Sequence, residues 1–111
     1  MTQAELYKDT DGNILGWQIK GHTGYAEVNK DIICSAISTI TQATIIQMDL
    51  LKLKFSKVIS NGYMKVMLDK NYEPLLIEQF PLITMQIVLK EIAKQYPKYV
   101  CVEEVLINES K

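Results

Sequence analysis

The stretch KFSKVISNGYMKVMLD, Lys54 to Asp69, decides the fold. Asn61-Gly62 at its centre is the preferred pair for a two-residue type I′ turn, because both central positions of that turn need positive φ. Val58 on one side, and Tyr63, Val66 and Leu68 on the other, give the arms β-compatible residues. A second stretch of this kind, AELYKDTDGNILGWQIKG, lies upstream at Ala4 to Gly21. Leu6 and Tyr7, then Ile14, Trp17 and Ile19, flank Asp11-Gly12, so two further strands are expected around a tight turn.

Between the hairpins the period changes. From Ile32 to about Leu53, Ile33, Ile37, Ile40, Thr44 and Gln47 form one helical stripe. Ile32, Ala36, Ala43, Ile46 and Leu50 flank it, which predicts a helix apolar over much of its circumference and buried between layers. Asp31 stands in front as the N-cap, with its carboxylate placed to accept from the backbone N–H of Ile33 or Cys34. After the second hairpin, EPLLIEQFPLITMQIVLKEIAKQY returns to helical spacing through Ile77, Leu82, Met85, Leu89 and Ile92. Pro81 fits only the first turn of that helix or a kink, which leaves its start open. YVCVEEVLIN closes as a strand. The order β-β-α-β-β-α-β predicts an α+β domain, a largely antiparallel sheet with two packed helices, spanning residues 1–111 without repeats or linkers.

At 111 residues and 48% hydrophobic, the chain suits one compact core. Twelve basic residues against thirteen acidic ones, with no long basic block, argue against a strong phosphate-binding surface, so no direct nucleic-acid partner is expected. The N-terminus MTQAELYKDTDGN lacks a signal-peptide pattern, and no apolar run approaches the roughly eighteen residues that span a bilayer. With only two cysteines, Cys34 and Cys101, a disulfide framework is not indicated, and a reduced, cytoplasmic protein without a membrane partner is expected.

The chemistry concentrates in KGHTGYAEVNKDIICSAIS, Lys20 to Ser38, which holds the only histidine, His22, and, twelve residues on, Cys34. Cys34 falls in the first turn of the helix, where free amides and the positive end of the dipole favour a thiolate, although Asp31 opposes part of that effect. If the loop folds back, His22 and Cys34 supply a proton donor and a nucleophile for attack on a carbonyl, and the amides near Cys34 and Ser35 are positioned to receive the oxyanion. The residue types alone leave a bland reading open: an inert buried Cys, a solvated His, and Asp31 as a simple cap. One His and two distant Cys do not make a zinc ligand set. Cys101 reads as core. Trp17 and Tyr25 are the aromatics nearest the loop, and either can line a substrate cleft, with packing the simpler role for Trp17.

At these residues the sequence resembles the ribosomal-processing cysteine proteases, called Prp. The family form reads roughly G-H-A-x-x-G-x-x-G-x-D-I-V-C-A-x-x-S. Gly21, His22, Glu27, Asp31, Ile32, Cys34 and Ser38 fall in register with it. The resemblance implies a cytoplasmic endopeptidase with a His22–Cys34 dyad and no cofactor. It also implies a homodimer and a substrate in the N-terminal extension of large-subunit ribosomal protein L27, cut after an aromatic residue that follows apolar ones. Gly21, Gly24, Glu27, Asp31, Ser35 and Ser38 become supporting or substrate-loop residues. Ser38 can bond toward the thiol or the loop, or to the carbonyl of Cys34, and Glu27 can pair with His22 or face water.

The departures are Thr23 for the usual Ala, Ala26 and Asn29 for glycines, Val28 for Tyr, and Ser35 for Ala. If position 26 needs positive φ, alanine there costs on the order of 1 kcal/mol. Two rivals stand beside the protease: a non-catalytic ribosome-assembly or interaction module with the same fold, and another Cys-dependent activity such as thioester hydrolysis or redox sensing through Cys34 and Cys101.

Overall fold

The structure is a computed structural model that describes residues 1–27 and 30–107. Its elements are β1 (Thr2–Lys8), β2 (Ile14–Lys20), α1 (Ile32–Leu50), β3 (Phe55–Ser60), β4 (Tyr63–Leu68), α2 (Leu76–Gln95) and β5 (Val100–Leu106). The expected order therefore stands, and the five strands form one sheet ordered β3-β4-β2-β1-β5. Every pairing is antiparallel except β1 with β5, where Thr2 pairs with Val100 and Lys8 with Leu106. That exception follows from the crossover: α2 carries the chain from β4 back along the sheet, so β5 enters beside β1 in the same direction.

Both hairpins turn at the predicted residues, but the Asn61-Gly62 turn is not type I′: Gly62 takes positive φ and Asn61 does not, so glycine alone supplies the left-handed position. Gly12 and Gly62 sit at φ +86° and +71°, conformations that L side chains rarely adopt. Registers Phe55↔Leu68, Lys57↔Val66 and Ile59↔Met64 fix which residues of the second hairpin share a face. Side chains alternate along a strand, so Leu68, Val66, Trp17, Ile19, Leu6 and Ala4 form the face under the helices. All but Ala4 are large, and Leu6, Trp17 and Val66 have no exposed surface. Trp17 is a core residue, its indole N–H donating to the sulfur of Met64 at 3.3 Å.

Helix α1 lies on that face with Ile33, Ile37, Thr41, Thr44, Ile45 and Met48 inward. This corrects two expectations. The inward stripe includes Thr41 and Met48, with Ile40 half-buried against the core as expected but Gln47 exposed, and the helix is not enclosed between layers. Only one layer covers the sheet, so Ile32, Ile46 and Leu50 face outward, the last 76% exposed. The two buried threonines satisfy themselves: Thr41 donates to the carbonyl of Ile37 at 2.9 Å and Thr44 to that of Ile40 at 2.8 Å. The helix stops short of Leu53 because Lys52 takes a left-handed conformation, φ +58°. The Lys52 and Leu53 amides then close onto the carbonyls of Asp49 and Met48, a Schellman end.

Helix α2 contains Pro81 in its second turn, so of the two placements expected, first turn or kink, the first-turn one does not hold. A proline there removes the bond to the Ile77 carbonyl. Two residues before it, Gln79 is buried and anchors the helix to the sheet: its side-chain oxygen accepts from Ile14 N at 2.7 Å and its amide donates to Ile14 O at 2.9 Å. Ile14 pairs with Lys8 of β1 but lies beyond Gly16, where the pairing of β2 with β4 ends, and Gln79 bonds both of its backbone groups there.

Candidate active site

Three segments meet at one end of the sheet: the loop after β2, the first turn of α1, and the β3–β4 turn. The loop leaves β2 through Gly21, whose φ is +94° and whose N–H donates to the carbonyl of Gly62 at 2.9 Å. A Cβ on Gly21 would stand 2.5 Å from the carbonyl oxygen of Met1, so this position accepts no side chain without moving the backbone. His22 follows, exposed, with its ring against Gly62. Thr23 then turns inward and is buried, while Gly24 at φ +74° reverses the chain in open space.

The loop is tied down by Asp31. Its Oδ1 accepts from the amides of Ile33 and Cys34, both at 3.0 Å, which is the expected N-cap. Its Oδ2 accepts from the Thr23 hydroxyl and from the amides of Tyr25 at 3.2 Å and Ala26 at 3.4 Å. One buried carboxylate thus serves both the helix end and the loop. Burial works against its charge. The Thr23 hydroxyl and the amides of Cys34, Ala26 and Ile33 outweigh that and hold the carboxyl below its usual range. Asp31 makes no bond to His22; its carboxylate is taken up by the helix end and the loop. Tyr25 pins the other side: its ring meets those of Tyr96 and Tyr99 edge-on, with centroids 5.9 and 5.3 Å apart. It does not line the cleft described next.

That cleft, about 280 Å³, is lined by His22 and Cys34 together, with Ile19, Ile37, Ile59 and Tyr63 among its walls. The fold therefore brings the only histidine and the first cysteine to one cavity. No hydrogen bond joins them among the described residues; the partner of Cys34 is the Thr23 hydroxyl, 3.4 Å from the sulfur. The amides expected to receive an oxyanion are occupied, since Cys34 N donates to the Asp31 side chain and Ser35 N to the Asp31 carbonyl. Ser35 is exposed. Ser38 lines the cleft, but its Oγ accepts from Gln42 at 2.8 Å rather than bonding the thiol or the Cys34 carbonyl. Glu27 faces water, its carbonyl accepting from Lys30 N at 2.8 Å.

Ala26 does not adopt positive φ; among described residues other than glycine only Lys52 does, so the anticipated strain is absent. Val28 and Asn29 lie outside the described residues. Cys101 is half-buried rather than core. It pairs with Gln3 on the face of the sheet away from the helices and lies 3.8 Å from a Glu103 carboxylate oxygen. Alternation along β1 puts Ala4 in the core and Gln3 opposite, so Cys101 and Cys34 are on different faces and the internal-disulfide version of redox sensing fails. Sequence reasoning missed two participants. Thr23 was visible only as a departure from the family form, and Gly62 only as a turn residue; the available signal was the Asn-Gly pair itself, which ends level with the exit of β2.

Comparison with known proteins identifies the family. The family model described as cysteine protease Prp matches residues 1–101. The ribosomal processing cysteine protease Prp of Mycoplasma genitalium is 33% identical over 87 residues, covering 77% of this chain and 83% of that protein. The essential ribosomal processing protease Prp of Staphylococcus aureus, solved with a covalently linked product peptide, superimposes with a TM-score of 0.84 at 17% identity, over 95% of this chain and all of that one. A Streptococcus mutans protein superimposes with a TM-score of 0.80 at 21% identity, covering 96% of each chain. The chain belongs to the cysteine protease Prp family and is a cysteine peptidase.

Proposed function

We propose that Cys34 and His22 form the catalytic dyad of an endopeptidase that removes the N-terminal extension of large-subunit ribosomal protein L27. The observation that carries this reading is the shared cleft: the one imidazole and the thiol at the start of α1 line the same cavity, although they are twelve residues apart in the chain. In the reaction, Cys34 gives its proton to His22 as the sulfur attacks the scissile carbonyl carbon. The tetrahedral intermediate collapses to a thioester, and His22 returns the proton to the leaving amine. Water, deprotonated by His22, then hydrolyses the thioester and frees Cys34. Ile19, Ile37, Ile59 and Met64 give the cleft an apolar lining suited to the apolar residues that precede the cut. The chemistry needs no cofactor.

The peptide character of the substrate is supported by relatives. The Staphylococcus aureus protease has been solved both with a product peptide linked covalently and with a substrate peptide. A ribosomal-protein substrate places the work in the cytoplasm. A homodimer is proposed as well, supported by the outward apolar residues Ile46 and Leu50 of α1 and Leu76, Ile77 and Phe80 of α2; light scattering on the purified chain reads its mass directly.

The test is to incubate the host's recombinant L27 precursor with the wild-type protein and with Cys34→Ala, and to read the precursor's N-terminus by mass spectrometry. Shortening by the wild type alone supports the reading. An unshortened precursor in both reactions refutes L27 as the substrate, and shortening in both refutes Cys34 as the nucleophile.

A further inference from the structure

A threonine hydroxyl has one proton to give and two lone pairs to receive. At Thr23 all three are in use. The proton goes to Asp31 Oδ2, a carboxylate that can only accept. One lone pair faces the amide of Tyr25 at 3.4 Å and the other faces Cys34 Sγ at 3.4 Å. The proton in the Thr23–Cys34 contact must therefore come from the sulfur. An ionised Sγ would confront a lone pair, or would draw the Thr23 proton away from Asp31 and leave a buried carboxylate one donor short.

We infer that Thr23 is a positioning residue that holds Cys34 in the resting cleft as a neutral thiol, its S–H donating to Thr23 Oγ1 while the Thr23 hydroxyl donates to Asp31. Among the described residues, the other ionisable groups lining the cleft are His22 from the loop and Tyr63 from β4, with no lysine or arginine. The positive end of the α1 dipole favours a thiolate and opposes this preference, so the Thr23 contact has to outweigh it. His22 gains the proton only when the Thr23 contact is released. The inference rests on Cys34 being the reacting thiol, but its test reads the sulfur and not cleavage.

The experiment uses the full chain carrying Cys101→Ala, which leaves Cys34 as the sole thiol. Alkylation by iodoacetamide is followed across pH with Thr23 intact, with Thr23→Val and with Thr23→Ser. Valine keeps the shape and removes the acceptor. The midpoint of the profile is expected to move to lower pH, with the rate at neutral pH rising roughly three- to tenfold. Serine is expected to restore the profile of the intact protein. A midpoint unmoved or raised by valine, or a serine variant behaving like valine, would overturn the inference. A second measurement needs no change at Thr23: the Raman S–H band of Cys34 at neutral pH should be present and lie below its frequency in the unfolded protein. Absence of the band, or an unshifted band, overturns the inference even if the valine variant does not fold. Cleavage that survived Cys34→Ala would defeat the functional reading instead and leave these results standing.

Discussion

His22 rests against Gly62: a methyl group added to Gly62 would lie 2.9 Å from the histidine Nε2 and 3.3 Å from its Cε1. The turn of the second hairpin is therefore the floor under the imidazole as well as the link between two strands. Gly62→Ala is expected to do two separable things. It costs about 1 kcal/mol because alanine is strained at φ +71°, and it pushes the imidazole out of its place. Gly12→Ala is the matched control, since Gly12 has φ +86° and nothing within 4 Å of an added Cβ. Both variants should lose similar stability in urea, while only Gly62→Ala loses peptide cleavage, by tenfold or more on the expectation that small misplacements of a catalytic group are costly. Equal activity in the two would show that the contact does not position His22.

Asp31 joins the helix to the loop, and its two sides can be separated by substitution. Asparagine caps a helix nearly as well as aspartate, so Asp31→Asn keeps an acceptor for the amides of Ile33 and Cys34. On the other side it presents at best a neutral group to Thr23, Tyr25 and Ala26. The loss should be about 1–3 kcal/mol at neutral pH. Its pH dependence has a definite sign. The native carboxyl is held below its usual range, so the stability it contributes is complete above the ordinary carboxylate pKa and is lost as the pH falls through the lowered native value. Urea denaturation of wild type and variant should show a gap that is full at neutral pH and closes in strong acid. A gap unchanged by acid would mean that the charge of Asp31 is not what holds the loop.

Gln79 offers a test far from the cleft. Gln79→Met keeps length and volume but strands the N–H and C=O of Ile14, two buried backbone groups with no other side-chain partner. About 2–4 kcal/mol of stability should be lost, with cleavage rate per folded molecule unchanged. A loss below about 0.5 kcal/mol would show that Ile14 finds other partners and that the anchor is incidental.

Much of the fold was legible because its signals are local. Gly12 and Gly62 mark the turns through their positive φ, and Asp31 caps α1 through a bond to residues two and three places on. The unread parts depend on which surfaces meet. Periodicity could not tell that Ile46 and Leu50 face outward, because nothing in the sequence of α1 reveals that the second face of the helix is left bare. The end of α1 at Lys52 was equally hidden: a lysine in the left-handed region carries no composition signal. Pro81 suggested a boundary, yet the helix begins at Leu76, before it, because burial of Gln79, Leu82 and Met85 outweighs one missing backbone bond. In the site, His22 and Cys34 were singled out by residue type and spacing. The Thr23 bridge between Asp31 and Cys34 was not, since a threonine in a polar loop reads as solvated until the loop is seen to fold inward.

The most direct measurement is the single-turnover cleavage rate of one peptide, taken from the N-terminal extension of L27, by four proteins: wild type, Cys34→Ala, His22→Ala and the double variant. Groups that act as one unit lose their effect together. The account predicts that each single change removes nearly all cleavage and that the double variant is no slower than Cys34→Ala. Cleavage persisting in Cys34→Ala, or a double variant slower by the product of the two single losses, would contradict a cysteine–histidine dyad in this cleft.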